Sequence, residues 1–243
     1  MKTASALDKR IKEVYGINAH LDGIINMAKY KETEPKILWI LKEMNNQENK
    51  PMNQREFHVE LQRHNIEKYP FWKDTYKRII ECSYGIIEYE TNLNLKEKKN
   101  LWWLLHYNNI PFVNEDAQIG ACYASVLDRI AIINVNKCSG GGSSTNPTEI
   151  KRKYCEPEVK DFLLKEQIKQ INPDVIINCS SVWDLTKDLE KVYKMRPKRC
   201  CDEVFYNNEK LLIHNFHPNE RKKGKESYYE DIMKYYKWWK KIK

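Results

Sequence analysis

The chain has 243 residues, and its 42 Lys and Arg against 34 Asp and Glu leave a formal net charge of +8. Hydrophobic residues make up 41%, too many for a disordered chain, and 8 Gly with 9 Pro are too few for a collagen-like protein. No apolar run approaches the roughly 20 residues of a membrane-spanning helix, and the N-terminus lacks the apolar region of a signal peptide. We therefore expect a globular cytoplasmic protein without membrane contact, whose positive charge permits nucleic-acid binding without requiring it.

Four short, almost continuously apolar segments predict strands that are buried on both faces: 36–41, 129–135, 174–178 and 210–215. Helical spacing of apolar residues is found at 95–107, 157–171, 182–189 and 227–242. This alternation predicts an α/β fold, with a central, mostly parallel four-stranded sheet flanked by helices, in a single domain over residues 1–243. Two further regions are expected, an inserted loop or helical region at about 46–70 and a helical region at about 85–110.

Polar residues follow the first two predicted strands, at the sheet edge where α/β proteins collect their ligands. Glu43 leaves the first strand, where it can act as a general base or be an ordinary solvated loop acid. Asn134 ends the second strand, and its amide has the donors and the acceptor needed to contact a base edge. Three glycines follow, with Ser143 and Ser144 as further donors, an arrangement that suits a phosphate or a flexible surface loop.

The last two predicted strands are followed by residues that suit anions. Ser180 and Ser181 precede a helix, which indicates either ordinary capping or a phosphate site. His217 leaves the fourth strand, where it can donate a hydrogen bond to a developing negative charge. The residues beyond it suit contact with a DNA backbone: Asn219, Arg221 and Lys222.

In this order, the segments resemble the motifs of the uracil-DNA glycosylase superfamily. Leu41-Lys42-Glu43-Met44-Asn45 is similar to the first motif, and Pro70-Phe71 to a Pro-Phe pair whose Phe stacks on the flipped base. Asn134-Val135-Asn136-Lys137-Cys138 resembles the base-reading motif, and 173–181 the segment that ends in a phosphate-binding turn at Ser180 and Ser181. His217-Pro218-Asn219 is similar to the motif that closes the site.

The resemblance implies a monofunctional DNA glycosylase, which turns a pyrimidine out of DNA and hydrolyses its N-glycosidic bond to leave an abasic site. Glu43 would activate water and stabilise the cationic sugar, and His217 would donate to the departing base. Phe71 would stack on the base, and Asn134 would read its edge. The resemblance implies DNA as the partner, with no metal or other cofactor and no obligate protein partner.

Cysteine usage departs from that of the superfamily members that carry an iron–sulfur cluster. Those relatives use four cysteines, and only Cys138 and Cys155 resemble the second pair. We therefore expect no cluster and reduced thiols, and whether these two residues retain a metal stays open.

The substrate is indicated by the residues around Asn45, which stands where uracil-specific relatives have a Tyr that blocks 5-substituted pyrimidines. The stretch that follows is longer than in compact relatives and carries groups able to hydrogen-bond a sugar: Asn53, Gln54, Arg55 and His58. Both features favour a bulky 5-modified cytosine, such as the glucosylated 5-hydroxymethylcytosine of phage DNA, and an antiviral role. The alternatives are a uracil-repair glycosylase and, from another class, a non-catalytic DNA-binding module on the same fold.

The substitution Asn45→Tyr tests whether the residue at this position determines the size of the 5-substituent that the site admits, which we call the size gate. An aromatic ring at that position should overlap the 5-substituent and lower release of the modified cytosine at least about tenfold, because overpacking a close-packed site costs about 1–3 kcal/mol. Release of uracil, measured on the same preparation, should be spared. Equal loss of both activities would contradict the gate.

Overall fold

The structure, a computed structural model, describes residues 4–44, 52–57, 70–89, 126–138, 146–199, 201–219 and 225–243. In the segments that begin at residues 4, 70 and 225, side chains are described from residues 6, 75 and 227 onward. The elements in chain order are α1 (Ala4–Tyr15), β1 (Gly23–Ile24), α2 (Met27–Glu32), β2 (Ile37–Glu43), α3 (Pro70–Tyr89), β3 (Ile130–Asn136), α4 (Pro147–Cys155), α5 (Pro157–Asp161), α6 (Ile168–Ile171), β4 (Val175–Asn178), α7 (Trp183–Val192), β5 (Arg196–Lys198), β6 (Cys201–Tyr206), β7 (Leu211–His214) and α8 (Lys225–Ile242).

The predicted α/β class is confirmed, but the prediction of a four-stranded, mostly parallel sheet is wrong. The sheet has seven strands in the order β1-β3-β2-β4-β7-β6-β5, and it is mixed. The four strands expected from the sequence are β2, β3, β4 and β7, and each pairs in parallel with its neighbour among them. The added strands β1, β5 and β6 pair antiparallel at the two sides. The sequence pattern did not predict these strands, because β1 has two residues, β5 is Arg-Pro-Lys and β6 begins with the polar residues Asp202 and Glu203 after Cys201.

Three of the four predicted helices lie in the described part of the chain. Segment 157–171 is helical throughout, with a π-helical turn at Phe162–Gln167 between α5 and α6. The segments predicted at 182–189 and 227–242 correspond to α7 and α8. The fourth, 95–107, lies outside the described residues, as does most of the region expected at 46–70. Of the region expected at 85–110, only the end of α3 is described.

Apolar side chains cover both faces of the sheet. On one face, Ile37, Trp39 and Leu41 of β2 pack with residues of α3 and α8. On the other, Leu38 and Ile40 pack with residues of α1, α4 and α7. In the described part of the chain, no helix combines the length and apolar character needed to cross a membrane.

A close helix contact yields a stability prediction. A Cβ added at Gly85 of α3 would lie 2.6 Å from the hydroxyl of Tyr229 on α8 and 2.8 Å from its Cε2. Gly85→Ala should therefore lower the free energy of unfolding by about 1–3 kcal/mol, as overpacking does, although Ala in a helix is otherwise about 1 kcal/mol better than Gly.

Urea denaturation measures the effect, and Tyr229→Ala supplies the control. In that background the two closest contacts are removed and only the flexible thioether of Met233, 3.0 Å from the added Cβ, remains, so the same Gly85→Ala substitution should cost much less or become stabilising. A stabilising effect in the wild-type background would contradict the predicted contact.

Candidate active site

Parallel register brings the ends of β2, β4 and β7 to one edge of the sheet. Ile40 lies beside Asn178, and Asn178 lies beside His214. Glu43 lies as many residues after Ile40 as His217 lies after His214, so both lie just beyond this row of neighbouring residues. Since β4 separates β2 from β7, two strand spacings, about 10 Å in all, separate their backbones at this line.

Glu43 is the last residue of β2, and a neighbouring amide orients its carboxylate. The Nδ2 of Asn136, the residue beside it on β3, donates to its Oε2 at 3.1 Å. The Oδ1 of Asn136 in turn accepts from the backbone N–H of Cys138 at 3.1 Å, which fixes which end of the amide faces Glu43. Asn136 therefore acts as a positioning residue that the sequence analysis did not single out, although it lies within the second-strand motif.

The ring of His217 is held as a neutral donor. Its Nδ1 accepts from the backbone N–H of Asn219 at 3.2 Å. Burial lowers the pKa of His217 to about 4, and the charges of Lys42 and Arg78 lower it further. A neutral imidazole carries one ring proton, so acceptance at Nδ1 leaves that proton on Nε2. Near neutral pH, His217 can therefore donate from Nε2 without carrying a charge.

The turn that carries His217 is held from two helices. The buried guanidinium of Arg78 on α3 donates through Nη1 to the carbonyl of Pro218 and lies 5.4 Å from the ring centre of Tyr228. Tyr228 of α8 donates to the carbonyl of Phe216 at 3.0 Å. Sequence reasoning missed Arg78, because a single Arg in a helix is usually exposed.

Asn134, the residue predicted to read the base, is deeply buried. It is 1% exposed. Its Nδ2 donates to Oδ2 of Asp22 at 3.4 Å and to Oε1 of Gln54 at 3.1 Å. Its backbone N–H donates to the same Asp22 oxygen at 2.7 Å. Both amide hydrogens are thus directed at Asp22 and Gln54, and among the described residues none donates to Oδ1.

The serines after β4 have different environments. Ser180 is fully buried; its Oγ donates to Oδ1 of Asn178 at 2.6 Å and accepts from the backbone N–H of Val182 at 3.3 Å. Its hydroxyl therefore serves the turn rather than an external phosphate. Ser181 is exposed, with a left-handed φ of 62°, two residues before α7 begins.

Several predicted site residues lie beyond what the structure describes. Asn45, Ser143, Ser144, Arg221 and Lys222 fall outside the described residues, and Phe71 lies in the first turn of α3, where only the backbone is described. Asn219 is exposed. Two residues expected to contact a sugar have other roles, since Gln54 is buried against Asn134 and Arg55 pairs with Asp8 at 2.5 Å.

The candidate cluster cysteines have ordinary surroundings. The thiol of Cys138 donates to the carbonyl of Tyr15 at 3.6 Å, and Cys155 is exposed at the end of α4. Among the residues that the structure describes, no group of three or more His, Cys, Asp or Glu side chains is arranged to hold a metal ion.

No protein-family model, curated protein or solved structure matches the chain. The resemblance to the uracil-DNA glycosylase superfamily therefore rests on the sequence motifs.

The lowered pKa of His217 predicts how stability depends on pH. The unfolded chain protonates this ring near pH 6.5, whereas the folded chain keeps it neutral down to about pH 4. The unfolded state thus binds more protons in this window, and the free energy of unfolding should decrease as the pH falls from about 6.5 to 4.

Urea denaturation across this range, in the wild type and in His217→Asn, measures the contribution. The variant should lose less stability on acidification, and a histidine NMR titration should show one fewer ring with a low pKa. If the free energy of unfolding decreases equally in both proteins, the pKa of His217 is not lowered in the folded protein. His214, whose pKa is also lowered to about 4 by burial, remains in both proteins and serves as the internal reference.

Proposed function

We propose that this protein is a monofunctional DNA glycosylase of the uracil-DNA glycosylase superfamily, which hydrolyses the N-glycosidic bond of a pyrimidine turned out of DNA. The observation that carries the proposal is that an oriented carboxylate, Glu43, and a neutral imidazole, His217, both lie at the same edge of the sheet. Glu43 is the last residue of β2 and His217 follows the end of β7, and about 10 Å separate the backbones of these two strands. That separation suits a planar ring with one functional group on each side.

Membership of the superfamily is further supported by the four parallel strands at the centre of the sheet. One motif of the resemblance lies at or just after the end of each of these strands. These motifs are the first motif, the base-reading motif, the phosphate-binding turn and the closing motif. The chain crosses from β3 over β2 to β4, so the strand order reverses beside β2. Ligands of open α/β sheets bind in the crevice at such a reversal, which here is flanked by Glu43 and the turn at Ser180.

The proposed reaction breaks the bond between the sugar C1′ and the base nitrogen. The electron pair leaves with the base, and positive charge develops on the sugar. The Glu43 carboxylate stabilises that charge and accepts a proton from the water whose oxygen bonds to C1′. The products are an abasic deoxyribose and a base anion, which takes up a proton from solvent.

His217 would stabilise the departing base. Its Nε2–H can donate to a base carbonyl oxygen as negative charge grows there, and one such donor contributes roughly 3–4 kcal/mol in other enzymes. The nearby charges of Lys42 and Arg78, which already lower the pKa of the ring, would favour the same anion. They would also attract the DNA phosphates, in keeping with the net charge of +8.

The substrate we favour is a bulky 5-modified cytosine, such as glucosylated 5-hydroxymethylcytosine in phage DNA, which would make the enzyme an antiviral defence protein. The support is Asn45, in place of a blocking Tyr, and the long stretch that follows it. Uracil repair is the alternative within the class. A non-catalytic DNA-binding module would bind the same DNA and release no base.

Substitution of the two central residues tests the proposed chemistry. Glu43→Gln and His217→Ala should each lower the rate of base release by roughly 10²-fold or more. The first removes the general base that activates water, and the second removes the hydrogen-bond donor to the departing anion. Release is measured by alkaline cleavage of the DNA at abasic sites.

Glu158→Gln is the matched control, because Glu158 is an exposed acid on α5. It should keep the wild-type rate, and thermal unfolding should show that all three variants are folded. Wild-type rates in both Glu43→Gln and His217→Ala would refute the proposed roles.

A further inference from the structure

The turn that carries His217 leaves the sheet and is held to the rest of the protein through its main chain. The N–H of Asn215 donates to the carbonyl of Asn178 at 2.9 Å, which continues the pairing of β7 with β4. The ring of Phe216 is 48% exposed, so it does not bury the turn in the core. Two carbonyls of the turn, those of Phe216 and Pro218, accept hydrogen bonds from side chains of α8 and α3. The backbone is therefore fixed both immediately before and immediately after His217.

Tyr228 of α8 supplies the first of these hydrogen bonds, and the chemistry of its neighbours fixes the direction of the bond. Its Oη lies 3.0 Å from the carbonyl oxygen of Phe216 and 3.2 Å from Sγ of Cys179. A carbonyl cannot donate, so the single hydroxyl hydrogen of Tyr228 is given to Phe216, and the thiol of Cys179 donates to Oη. Burial raises the pKa of both groups, that of Cys179 to about 12, so both keep their hydrogens near neutral pH. These two hydrogen bonds join the residue after β4 to the turn after β7.

Arg78 of α3 supplies the second hydrogen bond and also contacts Tyr228. Its Nη1 donates to the carbonyl of Pro218, and its guanidinium carbon lies 5.4 Å from the centre of the Tyr228 ring. Both side chains are buried, Tyr228 at 0% and Arg78 at 7% exposure. A guanidinium at that distance from an aromatic ring is attracted to it, and the attraction is stronger where water is excluded. Tyr228 and Arg78 therefore restrain each other as well as the turn, and we call this pair the clamp.

We propose that Tyr228 and Arg78 are positioning residues of the reaction, which hold His217 where its ring can stabilise the departing base. The inference rests on the proposed glycosylase function and on the role of His217 in it. A displacement of about 1 Å can lower a catalytic rate about 10²-fold, so the contribution of His217 depends on how well its turn is fixed. Without the clamp, the two carbonyls that bracket His217 lose their partners while the strands beneath the turn stay paired.

Two conservative substitutions test the two halves of the clamp. Tyr228→Phe keeps the buried ring beside Arg78 and removes only the hydroxyl that donates to Phe216. Arg78→Lys keeps the positive charge but replaces the planar guanidinium by an ammonium on a shorter side chain, which cannot keep the contact of Nη1 with Pro218.

The matched control is Tyr154→Phe. Tyr154 of α4 is also fully buried, and its hydroxyl donates to Oδ2 of Asp188 at 2.7 Å. It packs on the other face of the sheet from Tyr228, so the control loses a hydroxyl of the same kind away from the turn.

A double-mutant cycle shows whether the clamp acts through His217. Each substitution is made in the wild type and in His217→Ala, and the single-turnover rate of base release is measured with saturating enzyme. The DNA is a duplex that contains uracil or glucosylated 5-hydroxymethylcytosine, whichever the wild type processes faster, and its Kd is measured separately by fluorescence anisotropy. A residue that positions His217 matters only while His217 is present, whereas a general structural defect lowers the rate by the same factor in both backgrounds.

Tyr228→Phe and Arg78→Lys should each lower the wild-type rate at least about tenfold with an unchanged Kd, and neither should lower the rate of His217→Ala further. Tyr154→Phe should keep the wild-type rate and Kd. If thermal unfolding shows one clamp variant to be unfolded, the other decides. Wild-type rates in the folded clamp variants, equal losses in both backgrounds, or a loss confined to Kd would overturn the inference alone. A wild type that releases no base from either duplex overturns the proposed function, and the inference with it.

Discussion

Strand β2 lies between two parallel neighbours, and its apolar side chains are buried on both faces of the sheet. From Ile37 to Ile40 they have 0% exposure, and each pairs with β3 on one side and with β4 on the other. A shift of one residue in this register would move every side chain of the strand to the opposite face. The packing of β2 therefore fixes where its last residue, Glu43, lies relative to Asn136 and to the ends of β4 and β7.

Several polar groups at this end of the sheet are buried or half-buried, and their chemistry follows from that. His217 is held neutral because burial and two nearby cations disfavour its protonated form. Asp22 and Lys137, a fully buried ion pair beside Asn134, remain together because each supplies the counter-charge that the other needs. Burial thus supplies an uncharged donor on one side and a fixed amide on the other.

Some of this arrangement could be predicted from the sequence. The four central strands are short apolar runs, and such runs are read directly from residue order. Strand β6 was missed because only Val204 and Phe205 are buried in it, and β5 because Arg-Pro-Lys has no strand pattern. Glu43 and His217 were found because they directly follow predicted strands. Asp22 was not, because it reaches Asn134 across 112 residues of sequence, and no local pattern reports such a contact.

A DNA glycosylase must release a free base, and mass spectrometry of the reaction products tests most directly whether the wild-type protein does so. The protein is incubated with a duplex that contains a single glucosylated 5-hydroxymethylcytosine, and both the small molecules and the strand are analysed. We predict the free modified base together with a strand that has gained a hydroxyl at C1′ and carries an intact backbone until alkali is added. Stable binding of this duplex, and of one that contains uracil, with no free base released from either would contradict the account and leave a DNA-binding protein without glycosylase activity.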